Sequence, residues 1–215
     1  MVGGGGDPPD ASDATDDRAA TALRLHDRYL SEVVLAFGLC PWAEKTLREG
    51  RFRRAVIGGA TPAPAAILPF VDALEASPSE TVPVDVAFAI FPDLALPSAG
   101  FDRFTEQIRR ADRARRGPTD VAPFFFAAFH PFGADSFADA HQLVAFVRRC
   151  PDPTVQLVRA SVLDGVRAGG ADVSESVARQ NFATITRQGA ARLAAVLDDL
   201  RRDRDESYRR LGQPR

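Results

Sequence analysis

The sequence is poor in the residues that mark several special classes of protein. Its two cysteines, Cys40 and Cys150, are too few for the disulfide framework of a small secreted domain. It contains no uninterrupted run of about 18 apolar residues, so we expect no membrane-spanning helix. Lysine is nearly absent, since Lys45 is the only one among 27 basic residues, and this bias toward arginine is typical of a GC-rich genome.

Charge of one sign is not in excess either. Lys and Arg number 27, Asp and Glu number 29, and the formal net charge is −2. A chain with this balance carries no electrostatic footprint for nucleic acid or for an anionic membrane surface, so neither is expected as a partner. Hydrophobic residues make up 45% and charged residues 26% of the chain, which is ordinary globular composition.

The N-terminus lacks both a basic and an apolar segment. Residues 1–17 are rich in Gly, Pro and Asp, which excludes a secretory signal and predicts a disordered acidic leader over residues 1–20. Residues 21–215 are enough for a single globular domain with its own core. These features favour a bacterial-type cytoplasmic protein with reduced thiols. No cofactor fingerprint is present, so the sequence leaves the cofactor unknown.

Strands and helices alternate along the chain. Apolar stretches at residues 52–57, 84–91, 124–129 and 154–158 predict four strands with a helix between successive strands, and residues 174–210 predict a long helix. The second and third stretches are nearly continuous apolar runs, which suit strands that are covered on both faces of a parallel sheet. We therefore expect an α/β fold with a mostly parallel four-stranded sheet, helices on its faces and a long C-terminal helix. A split α+β sandwich is the alternative.

Polar residues follow the ends of the predicted strands. If the strands are parallel, their carboxyl ends share one edge, where open α/β sheets bind ligands. The alternative is that strand ends turn polar because loops are solvated. The residues concerned are Gly58, Gly59, Pro92, Asp93, His130, Pro131, Arg159 and Ser161.

Cys40 lies between two helix signals. Gly38 is placed to end the first helix and Pro41 to begin the next, which makes Cys40 the expected N-cap of a short helix. The positive end of a helix stabilises a thiolate, so we expect a lowered thiol pKa and a role as nucleophile, redox thiol or metal ligand. The alternative is that Cys40 is a small buried residue.

Two further polar residues occupy positions that predict burial. His130 ends an apolar strand, where it could act as a general base toward Cys40, bind a metal ion, or serve as a hydrogen-bonded structural histidine. Asn181 falls on the inward stripe of the last helix, and a buried amide needs hydrogen-bond partners. It either holds that helix to the sheet or reaches the site. Paired, closely spaced ligands are missing, which argues against a structural zinc site.

Several short segments are similar to one family pattern. They resemble the bacterial family called domain of unknown function 1415 over roughly residues 25–197. At three positions where the pattern has Asn, Tyr and His, this chain instead has Arg148, Asp152 and Gln156. The matching segments are Leu39-Cys40-Pro41-Trp42-Ala43, Phe91-Pro92, Phe129-His130-Pro131, Arg149-Cys150-Pro151-Asp152-Pro153-Thr154 with Arg159, and Asn181.

The resemblance implies that Cys40, His130, Arg149 and Arg159 act together, but it implies no particular reaction. One hypothesis is a Cys/His-dependent enzyme acting on a small anionic molecule. Cys40 and His130 would then be catalytic, and the two guanidinium groups would hold a carboxylate or phosphate.

Asn181 and Asp93 are further candidates for contacting such a substrate. The alternative hypothesis is a non-catalytic small-ligand or metal-binding protein that uses the same edge of the sheet. A third is a structural or partner-binding domain. A small molecule is the expected partner, and the oligomeric state stays open.

Overall fold

The computed structural model describes residues 11–40, 42–76, 83–117, 119–167 and 173–212. Across those ranges, none of the helices combines the length and apolar character that a membrane crossing needs. The strands are β1 (Phe52–Val56), β2 (Val86–Ile90), β3 (Phe124–Phe129) and β4 (Thr154–Arg159). The α-helices are α1 (Ala11–Tyr29), α2 (Ala43–Arg48), α3 (Leu68–Glu75), α4 (Ser98–Ala114), α5 (Ala140–Val147), α6 (Ala160–Arg167), α7 (Val173–Gln188) and α8 (Ala190–Arg210). A π-helical turn spans Leu30–Leu35, and a 3-10 helix spans Pro64–Ile67.

The four strands form one mixed sheet in the order β1-β2-β4-β3. Only β1 and β2 pair in parallel, and β4 is antiparallel to both of its neighbours. The prediction of a mostly parallel sheet is therefore wrong. The apolar run of β3 also differs from its prediction, because β3 is an edge strand and Phe125 is 42% exposed.

The direction of β4 follows from the path of the chain between β3 and β4. The backbone N–H of His130, just past β3, donates to the carbonyl of Arg148 at 3.0 Å. This bond holds the end of α5 beside the end of β3. The chain then enters β4 from that same edge, with Thr154 opposite Phe129, so β4 runs back along β3.

The antiparallel direction of β4 separates residues that were predicted to lie at one edge of the sheet. The carboxyl ends of β1, β2 and β3 share an edge with the beginning of β4. Arg159 ends β4 opposite Phe124, the first residue of β3, so it lies at the other edge of the sheet. Arg159 therefore cannot join His130 at a common rim.

Each face of the sheet is covered by helices. On one face, Ala87, Ala89 and Leu157 pack in a core with buried residues of α3 and α4. A second core joins α1, α5, α7, α8 and the π-helical turn with Phe129 of β3.

The helices differ from the predictions in three places. The expected long helix is two helices, because Gly189 adopts φ +102°, a conformation that favours glycine. The structure adds α6, which was not predicted. Residues 11–20, assigned to the predicted leader, begin α1, and residues 1–10 lie outside the described ranges.

A buried carboxylate ties α8 to the edge of the sheet where β4 begins. Asp152 accepts hydrogen bonds from Nε of Arg204 at 2.9 Å and from the hydroxyl of Tyr208 at 2.7 Å. Arg18 of α1 lies 4.6 Å over the Tyr208 ring and forms an ion pair with Asp93. Two helices therefore close this edge through charged and aromatic groups.

The Asp152→Asn variant tests this closure. Because it leaves the partly buried guanidinium of Arg204 without its main counter-ion, we expect the free energy of unfolding to fall by about 3 kcal/mol. Urea unfolding at pH 7 measures the loss. Asp205→Asn is the matched control, since Asp205 is an exposed second partner of Arg204 and its loss should cost less than about 1 kcal/mol. Equal effects of the two variants would contradict the assignment.

His26 of α1 is buried in the core without a hydrogen-bond partner for either ring nitrogen in the described part of the chain. Its ring packs edge-on against Phe88, with the centroids 4.7 Å apart. Burial lowers the pKa of His26 to about 3, and the charge of Arg54 adds to this shift. The side chain is therefore a neutral core group.

This burial predicts acid sensitivity. The folded-state pKa lies below the unfolded value of about 6.5, so the unfolded chain binds the proton more tightly. The stability from His26 is fully present above pH 6.5 and falls as the pH drops toward 3. Between pH 7 and pH 4, we expect His26→Leu to lose about 3 kcal/mol less stability than the wild type. Denaturant titrations across this range, with exposed His141→Leu as control, measure the difference. An unchanged pH dependence in His26→Leu would contradict the prediction.

Candidate functional site

Asp93 and His130 lie at the predicted edge, and both are engaged by protein groups. Asp93 accepts from the backbone N–H of Gly59 at 2.9 Å and pairs with Arg18. His130 is buried; its Nε2–H donates to the Leu96 carbonyl at 2.9 Å, and its Nδ1 accepts from the Phe132 N–H at 3.2 Å. Burial lowers the pKa of His130. Its ring is a neutral, fully hydrogen-bonded part of the loop after β3.

The two predicted anion-binding arginines also have partners within the protein. Arg149 is buried and donates to Asp198 of α8 at 2.9 Å. Arg159 donates to the backbone carbonyls of Val84 at 2.6 Å and Leu74 at 3.1 Å, and its guanidinium stacks on Phe124. Arg149 belongs to the edge covered by α8, whereas Arg159 fixes the chain at the opposite edge. The structure does not bring these two guanidinium groups to one site.

A cavity of about 250 Å³ lies on the face of the sheet opposite α3 and α4. Its floor is formed by strand residues. Its walls come from the π-helical turn, residues 39, 40, 42, 43, 46 and 47, and helices α5, α6 and α7. Most of the lining is apolar. The lining residues are Tyr29, Leu30, Val34, Leu39, Cys40, Trp42, Ala43, Thr46, Leu47, Phe52, Val86, Phe88, Phe129, Val144, Val147, Arg148, Gln156, Val158, Leu163, Val177, Ala178 and Asn181.

Cys40 and Asn181 are the two predicted site residues that this cavity brings together. The side-chain N–H of Asn181 donates to the carbonyl of Leu39 at 2.9 Å. This bond holds α7 against the residue that precedes Cys40, so Asn181 both anchors its helix and lines the cavity. His130, Arg149, Arg159 and Asp93 are not among the lining residues.

The surroundings of Cys40 differ from the sequence-based expectation. The short helix begins at Ala43 with Trp42 as its N-cap, so Cys40 is not the N-cap residue. Burial raises the pKa of the Cys40 thiol, and the nearby backbone N–H groups of Trp42 and Ala43 only partly oppose this effect. The expectation of a lowered thiol pKa is therefore wrong. At neutral pH the cavity wall presents a thiol.

Arg148 is a lining residue that the sequence reasoning did not select. It is partly buried, and its guanidinium lies 5.4 Å from the centroid of the Phe129 ring. Its side chain forms no hydrogen bond or ion pair with any residue in the ranges described above. Burial lowers the pKa of Arg148, and electrostatic interaction with Tyr29 and Asp102 only partly opposes this shift.

Gln156 is the second lining residue that was missed. It occupies the middle of β4, opposite Phe88 of β2 and Ala127 of β3. Its side-chain amide has no hydrogen-bond partner within the described residues. A polar residue between the apolar residues Val155 and Leu157 was the available signal.

The donor set of the cavity limits its chemistry. Its lining contains no His, Asp, Glu or Lys within the described part of the chain, and Arg148 is its only cation there. In the same ranges, no group of three or more His, Cys, Asp or Glu side chains is placed to hold a metal ion. The described lining residues of the cavity therefore carry apolar surface, one guanidinium, two side-chain amides, a thiol, an indole N–H and the hydroxyls of Tyr29 and Thr46.

Comparison with known proteins yields one match. The family described as protein of unknown function (DUF1415) matches residues 22–195. No curated protein matches the chain, and no solved structure matches it either.

The state of Cys40 can be tested by alkylation. Because burial raises its thiol pKa, we expect the iodoacetamide rate to reach half its maximum above the value of about 8.5 that is usual for a free cysteine. The experiment uses Cys150→Ser protein, so that Cys40 is the single thiol. Burial raises the pKa of Cys150 to about 12, so Cys40→Ser protein should react little while folded. A half-maximal rate below pH 8 would restore the nucleophile hypothesis.

Proposed function

The chain belongs to the DUF1415 family, and we propose that this protein binds a small anionic molecule in the cavity between its sheet and α2, α5 and α7. Arg148 would be the counter-ion of the bound anion. The supporting observation is a partly buried guanidinium that lines an apolar cavity and has no acceptor in the described residues.

The guanidinium of Arg148 is a partly buried charge without a counter-ion bound to it in the described residues. A cation that is removed from water without a counter-ion is destabilising, and buried charges in proteins are normally paired. The adjacent Arg149 follows this rule through Asp198. Arg148 departs from it, because its guanidinium forms no hydrogen bond or ion pair with a described residue; the Phe129 ring lies 5.4 Å from it, and Asp102 attracts it without direct contact. An anionic ligand would supply the missing partner. Ligand pockets commonly hold their ligand through a few polar groups in an apolar lining.

The other polar groups of the cavity fit a binding role. Gln156 presents an amide without a hydrogen-bond partner among the described residues, and Asn181 fixes the wall beside Cys40. A ligand pocket with a few convergent polar groups in an apolar lining is the usual form of a small-molecule site. This pattern supports binding without requiring any reaction.

Binding has more support than Cys/His catalysis. A Cys–His pair needs an imidazole within hydrogen-bond reach of the thiol, but the ring nitrogens of His130 are held by Leu96 and Phe132. The raised thiol pKa of Cys40 also opposes nucleophilic attack at neutral pH. Metal binding has less support as well. Among Cys, His, Asp and Glu, the usual metal ligands, the described lining contains Cys40 alone.

The Arg148→Met variant tests two consequences of the proposal: the stability of the ligand-free protein and its stabilisation by a bound anion. Without ligand, the variant should be more stable than the wild type by about 1 kcal/mol, because an uncompensated cation is replaced by an apolar chain of similar length. With ligand, the wild type should gain thermal stability and the variant should not. Thermal unfolding with and without octanoate or hexyl phosphate measures both effects.

The matched control is Arg110→Met, which removes an exposed arginine from α4. It should change the free energy of unfolding by less than about 0.5 kcal/mol and retain the response to ligand. If Arg148→Met keeps the full response, Arg148 does not hold the anion. A ligand-free Arg148→Met protein that is strongly destabilised would show a structural role instead.

A further inference from the structure

The charge and size of the cavity narrow the class of ligand, and this step rests on the proposed function. We infer that the ligand is a monocarboxylate with a compact apolar body, about ten non-hydrogen atoms in all. Gln156 would be a specificity-determining residue that contacts the carboxylate beside Arg148.

The charge of the lining selects a monoanion. Arg148 is the only cation among the described lining residues, and no acidic residue is present there. A carboxylate brings one negative charge, and its two oxygens match the paired N–H groups of a guanidinium. A phosphate monoester carries about −1.5 to −2 charges at pH 7. It would leave roughly one negative charge without a partner inside an apolar cavity, which is costly.

The geometry of the sheet places Gln156 near the guanidinium. Gln156 lies opposite Ala127 in the pairing of β4 with β3. Phe129 is two residues further along β3 and therefore projects from the same face. The guanidinium of Arg148 lies 5.4 Å from the centre of the Phe129 ring. Arg148 and Gln156 thus flank the same short stretch of β3, where one carboxylate could accept from both.

The volume sets the size of the body. A cavity of about 150 Å³ holds one benzene molecule of six carbons, so about 250 Å³ corresponds to about ten non-hydrogen atoms by proportion. Leu30, Val34, Val86 and Val158 supply aliphatic wall, and Phe88 supplies an aromatic surface. The described lining also contains Cys40, Trp42, Thr46 and Asn181, which carry polar atoms but no cationic group. The ligand therefore needs only one charged end.

A matched series of ligands tests the inference on the full-length protein by calorimetry. Octanoate has ten non-hydrogen atoms and should bind. Its neutral amide, octanamide, and the phosphate ester of similar length, hexyl phosphate, should each bind at least tenfold more weakly. Hexadecanoate exceeds the cavity and should bind at least tenfold more weakly as well. Hexyl phosphate binding as tightly as octanoate would overturn the assignment to carboxylates.

Gln156→Leu tests the second contact. Loss of one hydrogen bond to a charged group should weaken octanoate about tenfold while leaving octanamide within about threefold of its wild-type affinity. Gln188→Leu is the control, because Gln188 is an exposed residue at the end of α7. Equal octanoate affinity in wild type and Gln156→Leu would remove Gln156 from the site.

Protection of Cys40 distinguishes failure of this inference from failure of the proposed function. In Cys150→Ser protein, octanoate in the cavity should slow alkylation of Cys40 at least fivefold, because Cys40 lines the same space. If hexyl phosphate protects Cys40 through Arg148 and octanoate does not, the proposed function stands and the carboxylate inference is wrong. If neither anion binds or protects Cys40, both are overturned.

Discussion

The reversed direction of β4 is the constraint on which the rest of the molecule depends. The strand lies between β2 and β3 and runs against both. Its direction is set before it begins, where the N–H of His130 binds the carbonyl of Arg148 and brings α5 back to the end of β3. The reversal places Asp152 at the edge under α8, Gln156 in the middle of the cavity floor, and Arg159 at the far edge.

This arrangement moves the candidate site from an edge of the sheet to a face. In a parallel sheet the carboxyl ends of the strands form an open crevice. Here the corresponding edge is filled by three ion pairs, in which Asp93, Asp152 and Asp198 each pair with an arginine. The pairs of Asp152 and Asp198 bind α8 to the chain before β4. The polar residues found there stabilise the packing of helices. The cavity lies on the sheet face, where its lining includes Leu30 and Val34 of the π-helical turn and Phe52, Val86 and Phe88 of β1 and β2.

The sequence was sufficient for the strands and for part of the site. Hydrophobic runs located all four strands to within two residues at each end. They could do so because a buried strand needs apolar side chains, which are visible in its own sequence. Cys40 and Asn181 were found for a similar reason, since a thiol beside a proline and an amide on an apolar stripe are local signals. Strand direction was not predictable in this way. An apolar run shows that a strand is covered but not which way it runs, and the deciding hydrogen bond joins residues 130 and 148. Arg148 was not predicted, because it stands out only by having no hydrogen-bond or ion-pair acceptor among the described residues. A local sequence pattern cannot show this.

The three arginines at positions 148, 149 and 159 show how a binding residue differs from a structural one. Arg149 has a carboxylate, and Arg159 has two carbonyls and an aromatic ring. Each is matched by groups that the fold itself supplies, and each therefore contributes to holding elements together. Arg148 has an aromatic ring but no acceptor in the described residues. We therefore expect its charge to weaken the ligand-free protein, and the proposed anion would reverse that effect. An unpaired cation that lines a cavity is well placed to bind an anion. Pairing with the anion would remove the unfavourable free energy of the unpaired charge, and this gain would add to the free energy of binding.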